Sequence, residues 1–357
     1  MNSLKKNHPK KVFFKIPDNY ATFSDAEKNA FYEMVVAALL ENADENAKQI
    51  PSALLVHSDE YANWIFDKTH PTQGRRFNNA RDLFISLANE AGVTVNVCAP
   101  RAATRDELLR VHTAQYIDEV VNEHISTEWD DDRPDLALLA SLFVGGTLTA
   151  LDALLTGKSN LAIHFPGAKH HAQSDHSSGF CVFADFALAA DIATKNYGKK
   201  VAILDIDAHH GDGTENLTAD NLNVLTFSIH QEGIFPGTGN KSYPEKNVYN
   251  YPLGSDYPDG NTNKDDRALM SGVEKFCDLA KEFSPDLLFI ACGADGHKED
   301  PLTTLEYSVD GYIAVAKRLK ERFPDLPVLL GGAGGYLPDT RTPEIWASVV
   351  IEFANLR

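Results

Sequence analysis

Cysteine is scarce in this 357-residue chain: Cys98, Cys181, Cys277 and Cys292 stand far apart and form no C-x-x-C pair. That spacing argues against a disulfide framework and a thiolate zinc site, and for reduced thiols in a reducing compartment. Positive charge is short as well, with 33 Lys and Arg against 51 Asp and Glu and a formal net charge of -18. Nucleic acid needs a basic face, so this balance argues against it as a partner. An acidic surface suits a cationic partner such as a lysine-rich tail or a polyamine, although general solubility explains the same balance. The opening MNSLKKNHPKKVFFKIPDNY has no apolar stretch long enough for a signal peptide, and its basic cluster is only a weak nuclear address. No segment reads as able to span a bilayer, so a cytoplasmic protein without a membrane partner is the expectation. Internal repeats, low-complexity tracts and Pro/Gly/Ser linkers are absent too. The chain therefore reads as one domain over 51–357, preceded by an extension over 1–50.

Hydrophobic residues make up 43% of the chain and charged residues 24%, enough material for a substantial core. In the extension, FSDAEKNAFYEMVVAALLENA (23–43) carries apolar residues at helical spacing after Ser24, a plausible cap, and predicts a helix laid on the body. Further on, short apolar runs recur at 53–58, 161–165, 201–207, 224–230, 286–293 and 328–332. Segments of helical period lie at 134–156, 184–197, 266–283, 310–321 and 343–355. Continuous apolar strands separated by helices predict an α/β fold: three layers, α/β/α, around a mostly parallel sheet.

Polar chemistry collects where the runs end, the place where open α/β sheets form their sites. LAIHF leads into PGAKHHAQSDHSSGF, VAILDID into AHHGDG, LLFIACG into ADGHKEDP, and VLLGG into AGGYLPDTRT. Asp205, Asp207 and His209 are two residues apart, so on extended backbone their side chains share one side and offer ligands to a divalent metal. Asp295 could add a third oxygen, leaving a coordination position open as hydrolysis requires. Ordinary loop chemistry explains the same residues: Asp before Gly marks turns, and His caps helices. The adjacent His170 and His171 could be ligands, a surface pair or acid–base groups; Asp205 and Asp212 could each fix the tautomer of one imidazole. Tyr336 follows GGAGG, where it either packs over a turn or donates to a developing oxyanion.

Taken together, HPTQGRR (70–76), GAKHHA (167–172), SGFCVF (178–183), DIDAHHGDGT (205–214), IFPGTG (234–239), GADGHKEDPL (293–302) and GGAGGY (331–336) resemble the histone deacetylase-like family. These are zinc-dependent acyl-lysine and acetylpolyamine deacylases with the arginase–deacetylase fold, and the resemblance runs from about Val56 to about Trp346. It implies Asp207, His209 and Asp295 as ligands of zinc or ferrous iron. It implies His170 and His171 as the histidine pair, His171 transferring the proton, with Asp205 and Asp212 as their carboxylate partners and Tyr336 as the oxyanion donor. Phe180 and Phe235 would wall a tunnel for the acyl-lysine stem, with Gly179 at its edge, Asp130 at its rim and Arg76 in an internal channel. A structural potassium ion would take Asp205, Asp207, His209, Ser228 and the Ile229 carbonyl.

The chain departs from the family pattern just before the histidine pair. The family often has one or two glycines there; this chain has Ala168 and Lys169, a lysine able to reshape the pocket. Dedicated polyamine deacylases carry an acidic gatekeeper where this chain has Leu302, which favours acyl-lysine in peptide or protein over an acetylated polyamine. A binuclear ureohydrolase would need an aspartate where His297 stands, and an inactive binding protein would lack a ligand, a histidine or the tyrosine. A homo-oligomer is compatible with all of this.

Overall fold

A computed structural model describes residues 52–129, 132–254 and 264–355, and these fold around one eight-stranded sheet. The extension over 1–50, its helix at 23–43 and the rim candidate Asp130 lie outside the described residues. The strands are β1 (Ser52–Val56), β2 (Thr94–Cys98), β3 (Leu161–His164), β4 (Val201–Asp205), β5 (Val224–Gln231), β6 (Val248–Leu253), β7 (Leu287–Ala291) and β8 (Val328–Gly331). They run in the order β2-β1-β3-β8-β7-β4-β5-β6, and every pairing is parallel. The six apolar runs are β1, β3, β4, β5, β7 and β8. The two strands that the apolar pattern misses are the edges. β2 is TVNVC, largely exposed, and β6 is VYNYPL, partly exposed and containing Pro252. An edge strand needs no continuous apolar run and tolerates proline.

The helices are α1 (Arg75–Ala91), α2 (Arg105–Leu108), α3 (Ala114–Val121), α4 (Pro134–Leu155), α5 (Asp185–Tyr197), α6 (Asp212–Thr218), α7 (Asp266–Phe283), α8 (Val309–Arg322) and α9 (Arg341–Asn355). The five helical windows of the sequence match α4, α5, α7, α8 and α9 closely. α1, α9, α8 and α7 pack one against the next, and α3, α4, α5 and α6 form a second series. Helix starts follow side-chain chemistry: Asp265 accepts the N–H groups of Arg267 and Ala268 ahead of α7, and Ser308 accepts that of Gly311 ahead of α8.

One expectation needs correcting. α4 is 22 residues long and apolar enough to cross a membrane by length and composition. Most of it is buried inside the body instead, so its apolarity belongs to a core helix enclosed on nearly all sides.

The sheet order decides where the chemistry meets. β3, β8, β7 and β4 are consecutive neighbours, so the four polar segments that follow them leave the sheet side by side.

Candidate metal centre and active site

Asp207, His209 and Asp295 form a cluster whose ligand atoms all lie within 4.8 Å of one another. His209 Nδ1 is 3.1 Å from Asp207 Oδ1 and 2.9 Å from Asp295 Oδ2. Both aspartates are fully buried, and backbone amides hold their oxygens: Gly334 N–H donates to Asp207 Oδ2, His209 N–H to Asp207 Oδ1, and Ala208 N–H to Asp295 Oδ1. Gly334 is required for this approach, because a Cβ there would collide with both carboxylates. Two buried carboxylates this close repel unless a positive charge lies between them. Burial first, and then the charge of Asp207, push the Asp295 carboxyl up to about 6. Burial works against the imidazolium of His209, but hydrogen bonds to Asp207 and Asp295 outweigh it and push that group up to about 11. The donor set of two carboxylates and one imidazole, already oriented by amides, suits a divalent cation.

Regular strand alternation stops at Asp205. β4 ends at that residue, and only Asp207 and His209 turn toward Asp295. Asp205 is outside that cluster: its Oδ2 lies 2.7 Å from His170 Nδ1, and its Oδ1 accepts the N–H of Asp207. Asp212 Oδ1 lies 2.7 Å from His171 Nδ1, and its Oδ2 accepts from Gln173 Nε2. The two imidazoles are therefore each tied to their own carboxylate, with ring centroids 4.0 Å apart. Their environments split them. Burial disfavours a charged His170, yet the charges of Asp205 and Asp207 prevail and push it up to about 9. Burial and the neighbouring charge of His170 push His171 down to about 4, so His171 stays neutral and able to accept a proton.

Tyr336 sits beside this pair, with its N–H donated to Asp300 Oδ2 and its ring against Phe180. Burial, and then the charges of Asp295 and Asp207, hold its phenol well above the usual range, so it remains a donor. Phe235 is half exposed and packs edge-on to His171 at 5.0 Å; Phe180 packs against His70 at 4.5 Å. Gly179 lies between them at φ 54°, with no room for a Cβ against His171 and Phe235. Arg76 is buried below, its Nη1 donating to the Gly335 carbonyl and its guanidinium over the Tyr336 ring. Leu302 is exposed on the Asp300 turn, where its N–H donates to Asp300 Oδ1.

The residues expected around potassium are neighbours in the sheet. Ser228 is the register partner of Asp205, followed by the buried Ile229; the Ser228 hydroxyl pairs with His230 Nδ1. His297 accepts the N–H of Glu299 through Nδ1, and is not among the clustered ligands.

Two positioning residues carry no signal that sequence reasoning used. Asp185 is fully buried and accepts from Ala168 N–H, Lys169 N–H and the Thr147 hydroxyl, fixing the loop that presents the histidine pair. Asp300 fixes the backbone of Tyr336 and Leu302. In the sequence one looks like a helix-start aspartate and the other like a turn aspartate.

Residues 70–353 match the histone deacetylase domain. The acetoin utilization protein AcuC of Bacillus subtilis (strain 168) is 31% identical over 326 residues, covering 85% of this chain and 82% of that protein. AcuC of Staphylococcus aureus (strain MRSA252) is 30% identical over 326 residues, covering 84% and 81%. In fold, the crystal structure of the HDA15 HD domain aligns with a TM-score of 0.73 at 22% identity, covering 86% of this chain and 91% of that one. The chain belongs to the histone deacetylase family of deacetylases.

Proposed function

We propose that the protein hydrolyses the amide of acyl-lysine side chains in peptides or proteins, using zinc, or ferrous iron in its place, held by Asp207, His209 and Asp295. The observation that carries this reading is the pairing of His170 with Asp205 and His171 with Asp212, beside a cluster of three metal-type ligands. A divalent ion in that cluster supplies Lewis acidity toward a carbonyl oxygen and a water. His171, neutral and oriented by Asp212, takes the proton of the attacking water at Nε2 and returns one to the departing amine. Tyr336 donates to the oxyanion that develops on the acyl carbonyl. Phe180 and Phe235 grip the apolar lysine stem and exclude water around it. Potassium would sit beneath, on Asp205, Asp207, His209, Ser228 and the Ile229 carbonyl, bracing the backbone that carries the ligands. The free thiols among the described residues support a reducing compartment, the cytoplasm.

An acetylated polyamine would fit the same slot, but Leu302 offers no charge to a second ammonium. Comparing kcat/KM for an acetyl-lysine peptide and an acetylated polyamine on metal-loaded enzyme tests the reading. The peptide is expected to be the better substrate, and a preference for the polyamine would overturn that assignment.

A further inference from the structure

A small cavity lined by the histidine pair, Phe180 and Tyr336 also has four further side chains in its walls: Thr72, Arg76, Lys169 and Cys181. Two of these four side chains are cations. Arg76 is 3% exposed and Lys169 is 6% exposed, and cations are seldom buried this deeply without an anionic partner. Arg76 spends one nitrogen on the Gly335 carbonyl, while its Nε has no hydrogen-bond partner. The Lys169 ammonium has no hydrogen bond or ion pair among the described residues; it rests 5.0 Å from the Phe143 ring centroid, 5.8 Å from Phe77 and 6.0 Å from Trp64. Aromatic faces recover only part of the cost of burying such a charge.

The nearby acids do not neutralise the pair. Asp185 is committed to two backbone amides and the Thr147 hydroxyl, and Asp207 and Asp295 belong to the metal cluster. Burial pushes the Cys181 thiol up to about 12, so it contributes no negative charge at neutral pH. Burial and the neighbouring Arg76 pull Lys169 down to about 8, which still leaves it mostly charged near pH 7. The cavity thus holds two positive charges without a matching anion, in a low-dielectric setting where an incoming anion is strongly favoured. Lys169 also stands just before the histidine pair, where the family pattern often has glycine.

We propose that this cavity selects acyl groups that end in a carboxylate, so that the protein removes short dicarboxylic acyl groups, malonyl or succinyl, from lysine. The inference rests on the acyl-lysine reading above. With the acyl carbonyl between His171 and Tyr336, the far end of the acyl chain points into the cavity. Its terminal carboxylate meets Lys169 and Arg76. The free space is small, about 20 Å³, which restricts the chain to short ones. Water is the only co-reactant: its oxygen bonds to the acyl carbon, the C–N bond breaks, a proton passes to the lysine amine, and the dicarboxylate leaves.

The test compares kcat/KM of the metal-loaded full-length protein on one peptide carrying acetyl-, butyryl-, malonyl- or succinyl-lysine. The malonyl or succinyl peptide is expected to exceed the acetyl peptide at least about tenfold, the scale of one hydrogen bond to a charged group. Lys169→Met is expected to lower the ratio of malonyl or succinyl to acetyl rate by about tenfold to a hundredfold, and Lys169→Arg to retain it. The ratio is internal to each variant, so partial misfolding does not move it. Hydrolysis of acetyl or butyryl peptides without that preference would overturn this inference and leave the acyl-lysine reading standing. Absence of turnover on all four peptides would overturn both.

Discussion

Tyr336 and His171 carry the residue-scale predictions, because each is asked to do one thing the metal cannot. Tyr336→Phe removes the oxyanion donor and little else. It is expected to lower kcat by a few hundredfold, about 3 kcal/mol, while bound metal stays at the wild-type level. Wild-type turnover in that variant would remove Tyr336 from the reaction. His171→Ala is expected to cost about a hundredfold to ten-thousandfold in kcat, the usual worth of a positioned acid–base group. The pair is not symmetric: Asp205 and Asp207 keep His170 charged, whereas burial and His170 keep His171 neutral. Steady-state kinetics with metal analysis of each variant checks both statements. At this scale the sequence was informative, since the ligand and histidine candidates are short motifs whose members stay close in space. Asp185 and Asp300 were not legible, because a carboxylate that binds backbone amides looks the same in sequence as any turn or helix-start aspartate.

At the scale of elements, the site depends on loops held by buried polar chains. Tyr61 hydroxyl, His164, Thr147 and Asp185 form one such chain, ending on the amides of Ala168 and Lys169. Asp185→Ala would leave those two amides unpaired in the interior. A loss of about 2 to 5 kcal/mol is expected, read as a lowered denaturant midpoint, with kcat falling because the histidine pair shifts. Near-native stability would show that the loop is held by something else. α4 meets the same chain: a Cβ at Gly146 would run into the His164 ring, so Gly146→Ala is expected to destabilise by about 1 to 3 kcal/mol despite its better helix propensity. The periodic elements are legible in the sequence where a strand is covered on both faces, as in β4 and β7, or a helix buries one stripe, as in α7. β2 and β6 lack that signal because edge strands alternate irregularly. α4 is apolar enough to span a bilayer by composition, because a helix enclosed by a large core needs no polar face.

Across the whole molecule, several histidines are buried in neutral form, and this ties stability to pH. His112 receives the Ala184 N–H at Nε2 and donates from Nδ1 to the Gln173 carbonyl, joining α5 to the segment after the histidine pair. Burial pushes it down to about 4, below the ordinary 6.5. Its contribution is therefore full above about pH 6.5 and is lost as pH falls toward 4, amounting to about 2 kcal/mol lost by pH 5. The wild-type Tm should drop across that window, and His112→Gln should flatten the drop while starting lower; an unchanged slope would contradict the assignment. The sheet order gathers these local features into one centre, since β3, β8, β7 and β4 are neighbours although far apart in sequence. Polar strand ends in the sequence point to such a convergence, whereas the pairing of Asp205 with His170 depends on where β4 ends. The most direct measurement is a metal titration of chelator-stripped protein, following hydrolysis of an acyl-lysine peptide. The rate is expected to rise from near zero and saturate at one divalent ion per chain; activity without metal, or saturation only at two, would contradict a single centre built from Asp207, His209 and Asp295.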